Sequence, residues 1–168
     1  MKETLILDTT AIHARIKRIA YQVYERNYEE KALILLGIGE RGGFLAKRLA
    51  EQLERISPIA VHLYGVEMDR SKTTGSMEIH TSLRAAEVKS MPILVVDDVL
   101  YSGRTLLSVV AKVLVGEPKS IQTFVLIDRG HRTMPISPDY VGEELATTLQ
   151  QHVAFEIGIN GEANAFLQ

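Results

Sequence analysis

Two adjacent carboxylates, Asp97 and Asp98, stand between an apolar run and a short loop that ends in Ser-Gly-Arg-Thr. The apolar run, Ile-Leu-Val-Val at 93–96, is typical of a buried parallel strand. The loop at 99–105 leads into a helical pattern, and the free backbone N–H groups of such a loop favour a bound phosphate. The segment therefore predicts a site that offers carboxylates to sugar hydroxyls or a metal, and a cradle to a phosphate. A strand whose Asp simply caps the next helix is the alternative.

A second loop, Gly-Ile-Gly-Glu-Arg-Gly at 37–42, has the G-x-G-x-x-G spacing between an apolar segment and a helical pattern. Taken alone, this spacing is typical of a dinucleotide-binding fold. Such a fold also needs an acidic residue roughly 20 residues further on, at the end of the next strand, and Glu67 lies further away than that. A dinucleotide site would also leave Asp97 and Asp98 unexplained. A glycine turn that packs a strand against a helix is a third explanation for this loop.

Helical and strand patterns alternate along the chain, which predicts an α/β fold with an open parallel sheet flanked by helices. Ligands of such sheets bind at the carboxyl ends of the strands, and both loops follow predicted strands. We expect one domain over residues 1–168. Predicted helices lie after Asp8 and at 44–56 and 106–115, and predicted strands at 32–36, 59–64, 93–96, 121–127 and 153–157. The remaining segments are predicted as irregular at 67–90, as a loop at 128–142 and as a weakly ordered tail at 160–168.

Composition excludes several classes of function. The 168 residues are 46% apolar and 24% charged, which is ordinary for a globular protein, and the net charge of −2 gives no global basic field for nucleic acid. With no cysteine, neither disulfides nor thiolate chemistry apply. The first residues do not form a signal peptide, and no apolar stretch approaches the length of a membrane span. We therefore expect a cytoplasmic protein without membrane contact.

The stretch from Ile93 to Thr105 resembles the phosphoribosyl-diphosphate (PRPP) signature of type I phosphoribosyltransferases. From about residue 5 to 157 the chain also resembles the PyrR family, bifunctional pyrimidine-operon attenuators that are uracil phosphoribosyltransferases. The segments that carry this resemblance are Lys17-Arg18-Ile19-Ala20, Glu25-Arg26-Asn27, Leu45-Ala46-Lys47-Arg48-Leu49-Ala50-Glu51, Asp128-Arg129-Gly130-His131-Arg132, Pro135-Ile136 and Asp139-Tyr140-Val141-Gly142.

The resemblance implies an enzyme that uses PRPP and Mg²⁺ to make a nucleotide from a nucleobase, with uracil as the expected base and UMP as the product. Asp97 and Asp98 would be catalytic and would bind the ribose hydroxyls directly or through Mg²⁺. Arg41 would stabilise the leaving pyrophosphate, and a flexible loop within 67–90, with Arg70 and Lys72, would close over the site. The residues implied in PRPP binding are Gly39, Glu40, Arg41, Gly42, Val99, Leu100, Tyr101, Ser102, Gly103, Arg104 and Thr105.

The segment Asp139-Tyr140-Val141-Gly142 also resembles the base-binding segment of hypoxanthine-type phosphoribosyltransferases. It implies that the Tyr140 ring stacks on the base and that the backbone of Val141 contacts the edge of the base. Asp128 and Arg129 would lie at the polar edge of the base. The alternatives are a tyrosine in the core or at the rim, and a surface ion pair for Asp128 and Arg129.

The chain departs from the family at the pyrophosphate loop, where Gly39 and Glu40 replace the usual Lys and Thr. Glu143 stands where the family tends to have a basic residue, so RNA binding is doubtful. The expected partners are PRPP, a nucleobase, a nucleotide and further copies of the chain in a dimer or tetramer. Two other functions stay open: a nucleotide-sensing RNA-binding attenuator with weak catalysis, and a hypoxanthine or guanine phosphoribosyltransferase.

Overall fold

The computed structural model describes residues 3–69 and 77–168, which form four helices and nine strands in these ranges. The helices are α1 (Thr9–Asn27), α2 (Gly39–Ile56), α3 (Ala85–Val88) and α4 (Arg104–Leu114). The strands are β1 (Thr4–Leu7), β2 (Ala32–Ile38), β3 (Ala60–Asp69), β4 (Glu78–Thr81), β5 (Pro92–Leu100), β6 (Ser120–Asp128), β7 (Tyr140–Glu144), β8 (Val153–Ile157) and β9 (Ala163–Leu167).

Six strands form the central sheet in the order β4-β3-β2-β5-β6-β7. All neighbours pair in parallel except β3 and β4, which are antiparallel. This confirms the predicted α/β class with an open, mostly parallel sheet. The register pairs Gly37 of β2 with Val96 of β5, and Leu100 of β5 with Asp128 of β6. The carboxyl ends of these three strands therefore meet at one edge of the sheet.

Helices cover both faces of this sheet, so its central strands are buried on each side. One apolar cluster joins α1 and α2 to the sheet, and a second joins α4 to the opposite face. Helix α1 begins where the sequence predicts, because the Asp8 carboxylate accepts a hydrogen bond from the Ala11 N–H at 2.7 Å. None of the helices in the described ranges is both long enough and apolar enough to span a bilayer.

A second sheet, in the order β1-β9-β8, contradicts the predicted weakly ordered tail. Strand β9 pairs antiparallel with β1 on one side and with β8 on the other. Ala163 and Ala165 are buried there, although such short side chains give a weak apolar pattern. The predicted tail is wrong because β1, one of the two strands that order it, is distant in sequence, and a local pattern does not record such a partner.

Two segments predicted as irregular contain regular structure. Strand β7 lies at the end of the predicted loop 128–142, and the predicted irregular segment 67–90 contains β4 and α3. The predicted flexible loop falls partly on residues 70–76, with Arg70 and Lys72, which lie outside the described residues.

Candidate active site

A crevice lies at the edge of the sheet where β2, β5 and β6 end. A cavity of about 500 Å³ adjoins another of about 380 Å³. Both cavities are lined by Arg41, Asp97, Asp98, Val99 and Thr105, so they are two parts of one crevice. The larger part extends along the loop between β5 and α4, and the smaller part extends to the start of α2.

The two predicted carboxylates lie in β5 and line this crevice. Asp97 is 9% exposed, and its Oδ1 accepts a hydrogen bond from the Asp98 N–H at 3.0 Å. Arg41 at the start of α2 approaches Asp98, with 3.6 Å between Nη1 and Oδ2. The structure thus brings together the three residues predicted as catalytic. Their arrangement offers two carboxylates and one guanidinium to a ligand that carries both hydroxyls and anionic groups.

The loop between β5 and α4 leads into the N-terminus of α4, where backbone N–H groups favour a bound anion. Gly103 has φ +82° at the helix N-cap, a conformation that favours glycine, and a Cβ there would lie 2.7 Å from Ile136 Cγ2. Gly103 has no side chain to cap the helix, and the Arg104 N–H donates to Ser102 Oγ at 3.3 Å. The Ser102 carbonyl accepts from the N–H groups of Thr133 and Met134, both at 3.0 Å, which fixes the loop from behind. The first N–H groups of α4 are therefore held in place for a phosphate.

The smaller part of the crevice is richer in negative charge. It is lined by the carboxylates of Glu40, Asp97 and Asp98 and by one guanidinium, that of Arg41. Carboxylate oxygens suit Mg²⁺, which takes few protein ligands. The described ranges contain no group of three or more His, Cys, Asp and Glu side chains that could hold a metal by itself. Asp97 and Asp98 therefore fit Mg²⁺ only together with oxygens from a substrate and water.

Gly42 allows α2 to begin directly against β5. A Cβ at this position would lie 2.5 Å from the Val96 carbonyl oxygen and 3.4 Å from the Asp97 Cα. This close approach of backbones is what places Arg41 beside the end of β5. Of the four residues predicted in the glycine loop, three line the crevice: Gly39, Glu40 and Arg41. Gly42 does not line it but packs against the backbone of β5.

Tyr140 is not at the crevice, and its placement contradicts a stacking role for the ring. Its side chain is 6% exposed and belongs to the apolar cluster beneath α1 and α2. Its hydroxyl donates to Gln122 Oε1 at 2.7 Å, and Gln122 in turn exchanges hydrogen bonds with Asn27. Burial raises the pKa of the Tyr140 hydroxyl above its ordinary value. The alternative of a core tyrosine is therefore the right one.

The other residues predicted around the base do not lie together in one cavity. Val141 packs against the cluster beneath α4, and Asp128 lines a neighbouring cavity of about 230 Å³. The Asp128 carboxylate accepts from the Gly130 N–H at 2.9 Å and lies 3.8 Å from Arg132 Nη2. Only Arg129 of this predicted group lines the main cavity.

One wall of the main cavity contains none of the site residues predicted from the sequence, and we call it the 147–151 wall. Leu149, Gln150 and Gln151 line the cavity, followed by His152 and Val153 at the start of β8. The rule that ligands bind at the carboxyl ends of parallel strands does not select this segment, because it precedes an antiparallel strand instead of following a parallel one. Its residue types carry little chemical signal, so only the fold reveals its position.

Residues 4–159 match the family model of the phosphoribosyl transferase domain. The chain is 40% identical over 164 residues to the bifunctional protein PyrR of Bacillus velezensis, which covers 93% of this chain and 91% of the relative. It is 39% identical to the bifunctional protein PyrR of Bacillus subtilis, with the same coverage. The crystal structure of the hypoxanthine phosphoribosyltransferase of Trypanosoma cruzi superposes with a TM-score of 0.77 at 18% identity, covering 96% of this chain and 95% of that one. These matches agree with the crevice built from β5 and the starts of α2 and α4: the chain belongs to the phosphoribosyltransferase family and is an enzyme of that class.

Proposed function

We propose that the chain transfers the phosphoribosyl group of PRPP to uracil in the presence of Mg²⁺, giving UMP and pyrophosphate. The observation that supports it most is the convergence of Asp97, Asp98 and the N-terminus of α4 on one crevice. We choose uracil as the base because the chain is similar to the PyrR proteins. The hypoxanthine phosphoribosyltransferases of known structure share only the fold with this chain, so they do not decide the base.

The proposed reaction uses the charges in the crevice. The 5′-phosphate binds the N–H groups at the start of α4, and the ribose hydroxyls face Asp97 and Asp98. The bond from C1 of the ribose to the pyrophosphate oxygen breaks while a ring nitrogen of the base forms a bond to C1 and releases its proton to water. The carboxylates of Asp97 and Asp98 stabilise the positive charge that develops on the ribose, and Arg41 stabilises the departing diphosphate. When bound by Asp97 and Asp98, Mg²⁺ would add positive charge beside the diphosphate.

We place the base between the phosphate loop and the 147–151 wall. Leu149 lies at the rim of the main cavity with its side chain 73% exposed, and a planar base would cover this apolar surface. The side-chain amide of Gln150, which lines the same cavity, offers polar groups to the edge of the base. This assignment replaces Tyr140, whose ring is buried elsewhere.

An assay with PRPP and Mg²⁺ against uracil, hypoxanthine, guanine and orotate tests the proposal. We expect turnover with uracil, and loss of that turnover when Mg²⁺ is chelated. Turnover of hypoxanthine or guanine without uracil would overturn the choice of base, and no binding of PRPP in calorimetry would overturn the reaction. Light scattering of the same preparation tests the expected dimer or tetramer.

Tyr140→Phe is expected to weaken the fold and to leave nucleotide binding unchanged. The substitution removes the hydroxyl that donates to Gln122 Oε1, and this oxygen keeps its hydrogen bond from Asn27. The free energy of unfolding should fall by about 0.5–1.5 kcal/mol, the usual net value of one hydrogen bond. Urea denaturation measures this change, and calorimetry with UMP measures binding. A clearly weaker affinity for UMP would return Tyr140 to the base site.

We also expect only weak binding of hairpin RNA, because Arg15 and Arg18 of α1 are engaged with β7. Arg15 Nη2 lies 2.7 Å from Glu143 Oε2, and Arg18 donates to the carbonyls of Val141 and Gly142, both at 2.9 Å. Phosphate contacts dominate the affinity of proteins for nucleic acids, and each of them needs an available cation. A gel shift over a salt series, with UMP present, measures the affinity. Nanomolar binding that weakens steeply with salt would show that the attenuator function is retained.

A further inference from the structure

Arg129 is predicted to contact the base, yet its guanidinium is occupied by the protein. The residue is 5% exposed, and its Nε donates to Thr147 Oγ1 at 3.1 Å. Its Nη2 donates to the carbonyl of Thr148 at 3.4 Å and to the carbonyl of Gln151. All three acceptors belong to the 147–151 wall. The donors of this side chain are therefore directed at the wall of the cavity.

The same guanidinium also contacts the phosphate loop. Its Cζ lies 4.4 Å from the ring centroid of Tyr101, which is in the range of a cation–π contact. The backbone N–H of Arg129 donates to the Leu100 carbonyl at 3.0 Å, so the residue is anchored at the end of β5. Arg129 thus lies between the loop that would hold the 5′-phosphate and the wall that would hold the base.

His131 makes a second connection between the same two segments. Its ring centroid lies 6.0 Å from that of Tyr101, with the rings nearly edge to face. Its Nε2 lies 2.6 Å from the Thr147 carbonyl oxygen, and because a carbonyl only accepts, this nitrogen carries the hydrogen. In the described chain, residues 145–152 belong to neither a helix nor a strand. The position of the wall therefore depends on contacts of this kind.

We propose that Arg129 is a positioning residue that couples the phosphate loop, through Tyr101, to the base-side wall of the cavity. Occupation of the phosphate loop fixes the Tyr101 ring, the ring fixes the guanidinium, and the guanidinium fixes the 147–151 wall before the base binds. Only the planar fork of an arginine can reach a hydroxyl and two carbonyls at once while stacking on a ring, so lysine cannot replace it. The inference rests on the proposed function, since it assigns the loop to a phosphate and the wall to a base.

Hydrogen exchange of the protein without ligand tests the role of Arg129 independently of the reaction. In Arg129→Lys we expect the amides of 147–151 to exchange about tenfold faster or more than in the wild type, because local opening becomes easier. Arg132→Lys, a matched change in the same loop, should leave exchange at 147–151 unchanged. If Arg129→Lys does not fold, Thr147→Val removes only one acceptor and should give a smaller acceleration in the same direction. Equal exchange in the wild type and in the folded variant would overturn the proposal.

The coupling is tested with ribose 5-phosphate, which carries the phosphate and the sugar without a base. In the wild type it should slow exchange at 147–151, a segment that the base would contact. At ribose 5-phosphate concentrations that saturate each variant in calorimetry, Tyr101→Leu should lose this protection and Tyr101→Phe should retain it. Protection that survives in Tyr101→Leu would overturn the coupling. If the wild type does not bind ribose 5-phosphate at all, the coupling fails, whereas the proposed function is decided separately by the binding of PRPP, and the exchange of the unliganded variants decides what Arg129 does.

Discussion

Asp97→Asn and Asp98→Asn are each expected to lower kcat by about 10²-fold or more while leaving the fold intact. In the proposed reaction these carboxylates face the ribose, on which positive charge develops, and asparagine keeps the shape of the side chain without its charge. The Asp98 N–H can still donate to the side-chain oxygen at position 97, so the local backbone should be preserved. Steady-state kinetics and thermal unfolding of both variants measure the two effects.

Asp8→Asn is the matched control, because it makes the same chemical change at the start of α1. Asparagine caps helices about as well as aspartate, so both kcat and stability should stay close to those of the wild type. The assignment of Asp97 and Asp98 would be refuted if their variants unfolded early yet retained full activity per folded molecule.

Gly42→Ala is expected to lower both stability and activity. The new Cβ would lie 2.5 Å from the Val96 carbonyl oxygen, a contact that forces α2 and β5 apart. Overpacking of this kind costs about 1–3 kcal/mol of unfolding free energy. Because the same strand carries Asp97 and the same helix carries Arg41, the displacement also separates the charges of the crevice, and kcat/KM should fall.

Gly43→Ala provides the control at the next position of the same helix. A Cβ at Gly43 would meet no atom within 4 Å among the described residues, and alanine is favoured over glycine in a helix by up to about 1 kcal/mol. We therefore expect Gly43→Ala to be at least as stable as the wild type and fully active. Urea denaturation and the transferase assay separate the two variants, and equal behaviour would show that the approach of α2 to β5 is not needed.

The parts of the site that could be predicted are those whose chemistry and position are both local in sequence. The run at 93–96 predicts a buried strand, and the two carboxylates with the loop after them predict the ligand groups. The sheet rule then places Asp98 beside the glycine loop, as the structure shows. Each of these steps needs only neighbouring residues and the general geometry of parallel sheets.

The parts that could not be predicted depend on partners distant in sequence. Tyr140 carries an aromatic ring that suits a base, but the position of Asn27 and Gln122 beneath it decides that it is a core residue. The 147–151 wall is polar and without periodicity, and its place over the crevice is set by Arg129 and His131. A pattern of residue types along the sequence does not predict such contacts.

The pairing of β1 with β9 has a consequence for the order of folding. It joins Thr4 to Leu167, with almost the whole described chain between them, and this sheet also holds β8, into which the 147–151 wall continues. Closing so long a loop costs conformational entropy, which slows the formation of the contact. During synthesis on a ribosome, the central sheet and its two carboxylates can assemble while β9 is still being made. The part of the crevice that carries Asp97 and Asp98 can therefore form early, and the 147–151 wall, which would contact the base, reaches its final position last.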